Sequence, residues 1–131
     1  MGRAVRAMAA GLLLALAASG CGSDSGSDPK VVAWSEAQKY DGQYVTVRGP
    51  AVDAHFAESS KGQPTFINMG RPYPDPARFT ILIWGRDRPK FPQPPEELYA
   101  GKKIRVTGKV QIHGGLPEIV VVFPDAIQMA E

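Results

Sequence analysis

The sequence is poor in cysteine and histidine, on which disulfide bonds and many metal and catalytic sites depend. Cys21 is the only cysteine among 131 residues, so no disulfide can form within the chain. There are two histidines, His55 and His113, and no spacing of ligand residues typical of a metal site. Ser59 and Ser60 have no accompanying His–Asp pattern, and a general base needs convergent partners. We therefore expect no catalytic residues, no metal, no cofactor and no enzyme activity.

A strong excess of one charge is also absent once the first twenty residues are set aside. The chain has 15 basic and 13 acidic residues, and Arg3 and Arg6 are the only charged residues before position 21, which leaves 13 of each. The basic isoelectric point of the whole chain is therefore weak support for a nucleic-acid ligand. Residues 71–109 nevertheless hold nine basic residues against four acidic ones, a local excess of five.

The apolar run from Ala7 to Ala18 is too short for a typical membrane-spanning helix. It follows the basic start at Arg3 and Arg6, which is the pattern of a secretory signal peptide over residues 1–20. The next stretch, Ala18 to Cys21, resembles the bacterial lipobox, in which the cysteine becomes the lipidated first residue of the mature protein. An ordinary secreted protein with one chance cysteine is the alternative.

The resemblance to the lipobox implies a membrane partner, reached through lipid on Cys21. The location would be the cell envelope, either the periplasmic side of an outer membrane or the outer face of the cell membrane. Residues 21–30 are small and polar, which predicts a flexible tether. The folded domain is then expected over residues 31–131.

One pattern occurs twice in that domain and predicts two long strands. Residues 42–52 and residues 101–112 each begin with a glycine and alternate apolar with polar side chains, and each contains a second glycine, Gly49 or Gly108. A glycine within a strand marks a bulge, a bend or a close backbone approach. We expect the first strand to bend near Gly49-Pro50.

Five strands and two short helices follow from the alternation and the turn residues. Ser35 and Gln38 form a capping-box pattern before a helix ending near Tyr40, and Pro94-Pro95 precedes a helix over residues 96–99. The strands are expected at residues 43–56, 64–70, 79–85, 102–113 and 117–123. This order predicts an all-β fold, a five-stranded Greek-key OB-fold barrel with a short N-terminal helix and a short helix between strands 3 and 4.

Four segments within residues 34–128 resemble a family of small bacterial OB-fold domains. They read GQYVTVRG, QPTFINMGRPYP, FTILIWGRDRPKF and GKKIRVTGKVQIHGGLPEIVVVFPDAI. Members are described from their fold as nucleic-acid-binding or tRNA-anticodon-like, and some occur alone behind export signals. The resemblance implies the OB fold and, as a class of ligand, nucleic acid.

Alternation also predicts which side chains lie outside the barrel. With Ile67 and Ile81 inward, Phe66, Asn68 and Trp84 share one exposed face, where aromatic rings beside basic groups suit stacked bases. A register shifted by one residue would instead bury the two rings. The candidate ligand-binding residues are Phe66, Asn68, Tyr73, Arg78, Trp84, Arg86, Arg88 and Lys90.

Two functions remain open from the sequence. The first is a membrane-anchored OB-fold module that binds single-stranded nucleic acid or another polyanion. The second is a structural or adaptor lipoprotein that binds an envelope protein or a glycan through the same face. As an alternative to binding a polyanion, Lys102, Lys103, Arg105 and Lys109 can equally face the surface of the membrane to which the protein is tethered.

Overall fold

The computed structural model describes residues 28–130. The expected signal peptide, Cys21 and most of the expected tether lie outside these residues. The described part contains eight strands: β1 (Val31–Ala33), β2 (Tyr44–Phe56), β3 (Thr65–Met69), β4 (Phe79–Ile83), β5 (Lys103–Lys109), β6 (Gln111–His113), β7 (Leu116–Val120) and β8 (Ile127–Met129). Its helices are α1 (Pro95–Tyr99) and three short 3₁₀ segments at Trp34–Tyr40, Gly85–Lys90 and Pro124–Ala126.

The strands form one sheet in the order β6-β7-β4-β3-β2-β5-β8, with β1 pairing beside β2. All pairings are antiparallel except β4 with β7 and β1 with β2. The predominantly β fold and the short helix between the third and fourth expected strands are confirmed. Within residues 28–130, β6 and β8 end the order without pairing each other, so a closed five-stranded Greek-key barrel is not confirmed.

The expected fourth strand divides into β5 and β6 at Val110. The side chain of Val110 is fully buried, and its backbone N–H donates to the carbonyl of Gln43 at 2.9 Å. On either side of this point the chain has different partners, since β5 pairs with β2 while β6 pairs with β7. The glycine pair at 114–115 makes the turn from β6 to β7, with both residues at positive φ.

A bulge at Val52 changes which side chains of β2 face the core. Ala51 pairs with Met69 and Asp53 pairs with Asn68, so Val52 is the extra residue. Before the bulge the core residues are odd-numbered, as in Val47, and after it Ala54 packs on the core. The bend was expected near Gly49-Pro50, where β2 changes its partner from β5 to β3, and the bulge follows at Val52.

One apolar core holds the sheet and helices together, and all its fully buried members lie between Val32 and Ile127. A protein comprising residues 28–131 therefore contains the whole described core and suits the experiments below. No helix in this part of the chain combines the length and apolar composition needed to cross a membrane.

Trp34 packs against this core, and its ring occupies the space over two glycines. A Cβ on Gly49 or Gly70 would lie inside van der Waals contact with the ring. The expected capping box is wrong: the 3₁₀ segment begins at Trp34, so Ser35 lies within it, and no side chain caps its N-terminus. The absence of a side chain at these two glycines thus allows the ring of Trp34 to lie close to the backbone.

Two glycine variants separate backbone strain from this contact. Gly70 and Gly101 have φ values of +82° and +83°, but only Gly70 faces a side chain within 4 Å, the ring of Trp34. In residues 28–131, Gly101→Ala should lower the free energy of unfolding by about 1 kcal/mol through strain alone. Gly70→Ala should lower it by roughly 2 kcal/mol more, because the methyl group displaces the ring. Urea denaturation measures both, and equal losses would contradict the role of Trp34.

Candidate functional site

A cleft of about 650 Å³ lies on the outer side of the sheet, beyond the bulge. Its floor is the second half of β2 together with β3, and its walls are the loops after β2 and before β4. The lining residues are Asp53, His55, Ala57, Ser60, Phe66, Asn68, Tyr73 and Arg78. The bulge is what places Asp53 and His55 on this side.

Hydrogen-bonded polar side chains run across the floor of the cleft. Asn68 Nδ2 donates to Asp53 Oδ1 at 2.6 Å, and Thr80 Oγ1 donates to Asn68 Oδ1 at 3.1 Å. Thr80 pairs in turn with Glu118 of β7. The orientation of the Asn68 amide is set by these two partners. Asn68 was expected to be exposed, but it is only 3% exposed because its neighbours cover it.

Aromatic rings supply the apolar part of the cleft. Phe66 is half-buried and lies between His55 of β2 and Leu82 of β4 in the register of the sheet. Tyr73 is 69% exposed, and the guanidinium of Arg78 lies 4.9 Å from its ring centre. The N–H of Tyr73 donates to Asp53 Oδ2 at 3.3 Å, so the proline-rich loop is tied to the floor.

Trp84 was expected beside Phe66 and Asn68 but does not line the cleft. β4 ends at Ile83, and the half-buried Trp84 ring packs over Gly62 in the loop before β3, where a Cβ would lie 2.9 Å from the ring. The alternative of a register that buries Phe66 in the core is also excluded, because its neighbours Thr65 and Ile67 are fully buried while Phe66 lines the cleft.

Of the four basic residues expected around the cleft, Arg78 lines it and the other three lie elsewhere. Arg78 lines it and donates from Nη1 to the carbonyl of Asp75 at 2.9 Å, whereas Arg86 is 81% exposed outside it. Lys90 pairs with Asp87 at 2.9 Å and lies over the ring of Phe123 at 4.2 Å. These partners keep Lys90 away from the cleft.

Arg88 turns to the core side of β3 and holds α1 against the sheet. Its Nη1 donates to Thr65 Oγ1 at 2.7 Å and to Glu96 Oε1 at 2.6 Å, and its guanidinium stacks on Phe56 at 3.5 Å. Burial alone would raise the pKa of Glu96, but the hydrogen bond from Arg88, a backbone hydrogen bond and the attraction of Arg88 together lower it. Arg88 therefore makes structural contacts that the sequence pattern did not indicate.

Several residues at the site were missed by the sequence interpretation. Asp53, His55 and Ser60 line the cleft, and Thr80 extends its polar row. A signal for the first two exists, because the apolar alternation of β2 changes phase between Ala51 and Ala54. In the described part of the chain no three His, Asp or Glu side chains form a group that could hold a metal ion.

The contacts of Arg88 predict a stability effect that an exposed arginine lacks. Arg88→Ala should lower the free energy of unfolding by about 2 kcal/mol, because it leaves Glu96 and Thr65 without their partner. Arg86→Ala removes a side chain that is 81% exposed and should change it by less than about 0.5 kcal/mol. The loss of free energy of unfolding in Arg88→Ala should become smaller as pH falls through the lowered pKa of Glu96, because that carboxylate then becomes neutral. Equal effects of the two variants in urea denaturation would contradict this role.

The raised pKa of Glu118 predicts that this residue makes the free energy of unfolding depend on pH in the opposite direction. Burial raises its pKa, and the nearby His113 opposes part of the rise. The folded state thus favours the neutral acid, and stability is lost as pH rises through that pKa. Glu118→Gln should raise the free energy of unfolding at neutral pH and leave it unchanged at about pH 3, where both the folded and the unfolded state are protonated at this residue. Urea titrations at the two pH values check this, and a variant less stable at neutral pH would contradict it.

No protein-family model and no curated protein matches this chain. Among solved structures it is similar to an aspartyl-tRNA synthetase from Entamoeba histolytica, with 18% identity, a TM-score of 0.53, and 79% of this chain and 22% of that one covered. An asparaginyl-tRNA synthetase from the same organism, in complex with asparaginyl-adenylate, gives 20% identity and a TM-score of 0.47 over 72% of this chain and 23% of that one. The chain thus spans less than a quarter of either enzyme. The likeness to the aspartyl enzyme is one of fold, and it confirms the OB-type architecture at that coarse level.

Proposed function

We propose that this chain is a non-catalytic module that binds bases of single-stranded nucleic acid in the cleft while lipid on Cys21 holds it at a membrane of the cell envelope. The observation that carries the proposal is the meeting of Phe66, Tyr73 and Arg78 with the oriented Asp53–Asn68 pair in one cleft. The membrane attachment is supported by the lipobox-like residues 18–21 behind an apolar run.

The chemistry of the cleft suits a base better than a phosphate. A ring on Phe66 or Tyr73 can stack a base at about 1–3 kcal/mol. Asp53 offers a carboxylate that can accept from an exocyclic amine, and Arg78 supplies a positive charge at the rim. The volume lies in the range of small-molecule pockets.

The fold likeness gives this proposal general support. An aspartyl-tRNA synthetase acts on a nucleic acid, as its name says, and the two folds are similar. Because fold does not determine function, the support extends to the class of ligand and not to a particular sequence or base.

A second candidate follows from the charges around the cleft. Asp53 lies in it, Glu118 continues the polar row, and Arg78 is the one arginine among the lining residues. A neutral glycan or a protein surface would meet no repulsion there, and aromatic rings beside carboxylates suit sugars too. Binding to such a partner would be nearly independent of salt.

The nucleic-acid function is tested by measuring how residues 28–131 bind labelled single-stranded DNA and RNA of mixed sequence. Phe66→Ala should weaken binding roughly 5- to 150-fold through the lost stacking. The matched control is Phe123→Ala, because that ring is 59% exposed and lies under Lys90, outside the cleft. Arg78→Gln should reduce the slope of log affinity against log salt by about 0.7. Fluorescence anisotropy at several salt concentrations measures the affinities of the unaltered protein and of the three variants.

The same experiment can reject the proposal. Absence of binding at low salt, or equal losses in Phe66→Ala and Phe123→Ala, would remove the nucleic-acid function from the cleft. Binding of oligosaccharides that is lost in Phe66→Ala would then support the second candidate.

A further inference from the structure

A second outward surface of the sheet is basic and shares no residue with the cleft. We define the basic strip as Arg48 of β2 with Lys103, Arg105 and Lys109 of β5, all exposed. They face outward because they alternate with core residues such as Val47, Ile104 and Val106. The register places Arg48 directly opposite Arg105.

The strip has no ion-pair partners within residues 28–130. None of its four residues has a carboxylate within salt-bridge distance there. The strands that form this surface, namely β1, residues 44–50 of β2, β5 and β8, contain no acidic residue. Like charges directly opposite on neighbouring strands destabilise a sheet. Asp28, which precedes β1, lines a groove with Arg105 but forms no salt bridge with it, so the facing arginines favour an anion outside the protein.

The chain enters the described domain at this surface. Asp28 and Val31 line a groove together with Thr46, Arg105 and Gln128, and the carbonyl of Lys30 accepts from the N–H of Thr46 at 2.8 Å. Cys21 lies seven residues before Asp28 in the sequence, so it can be no more than about 25 Å away along the chain. Tyr44 and Val31 are 66% and 48% exposed beside the strip, and tyrosine is enriched at membrane interfaces.

We propose that the basic strip docks on the anionic phospholipid headgroups of the membrane that carries the lipid of Cys21, an inference that rests on the proposed lipid attachment. Headgroup phosphates, each with one negative charge, offset the two positive charges of the Arg48–Arg105 pair, and each basic residue near an anionic surface adds to the attraction. The tether holds the strip close to many headgroups, which raises their effective concentration. Since the cleft shares no residue with the strip, it stays open to its ligand.

Vesicle sedimentation tests the strip without Cys21. Residues 28–131 should bind vesicles of equimolar phosphatidylcholine and phosphatidylglycerol, should not bind pure phosphatidylcholine, and should dissociate as salt rises. The double variant Arg48→Gln/Arg105→Gln should bind roughly 30-fold more weakly. The control Arg71→Gln/Arg86→Gln removes the same charge from side chains that are 59% and 81% exposed elsewhere, and should bind like the unaltered protein.

The stability of the variants and oligonucleotide binding to the cleft are measured separately from vesicle binding. Removal of the facing arginines relieves a repulsion, so the strip variant should unfold at the same or a higher urea concentration than the unaltered protein. Equal binding to both vesicle types, or equal losses in the two double variants, would overturn the docking proposal. It would also be overturned if the strip variant lost oligonucleotide affinity while its vesicle affinity was unchanged. Phe66→Ala should leave vesicle binding unchanged, so failure of the cleft function and failure of docking are distinguishable.

Discussion

The extra residue Val52 in β2 is the constraint on which the cleft depends, and it lets one strand serve two different outward surfaces. Before it, Val45 and Val47 face the core and Arg48 faces solvent; after it, Ala54 packs on the core and Asp53 and His55 turn outward. One strand thus contributes an arginine to the basic strip and two polar groups to the cleft. In a strand with unbroken alternation, Asp53 would point into an apolar core, where an unpaired carboxylate is very unfavourable.

Hydrogen bonds within the protein hold the polar groups of the cleft in a fixed arrangement. Asn68 is held between Asp53 and Thr80, and Tyr73 is tied through its N–H to the same carboxylate. A ligand would therefore meet groups whose orientation is already set, and little conformational entropy would be lost on binding. Arg88 contributes from the other side of the sheet, since it fixes β3 against α1 through Thr65 and Glu96. The site thus depends on polar contacts on both faces of β3.

Much of the fold was predictable from the sequence because alternation and turn residues act locally. The bounds of β2, β3 and α1 agree with expectation within a residue or two, and the inward positions of Ile67 and Ile81 are confirmed. The division at Val110 and the bulge at Val52 depend on which strands become neighbours, which local patterns do not encode. For the same reason the sequence placed Arg88 and Lys90 at the site. Whether a basic side chain pairs with Glu96, with Asp87 or with a ligand depends on the tertiary structure, which local patterns do not encode. Lipidation of Cys21 and the absence of catalysis stay predictions.

The central claim, that the two outward surfaces have different ligands, is tested most directly by backbone NMR shifts of residues 28–131 during titration with a mixed-sequence single-stranded oligonucleotide. The account predicts that shifts concentrate at Asp53, Phe66, Asn68 and Tyr73 and spare Arg48 and Arg105. Shifts concentrated along β5 and the first half of β2, with an unchanged cleft, would contradict it.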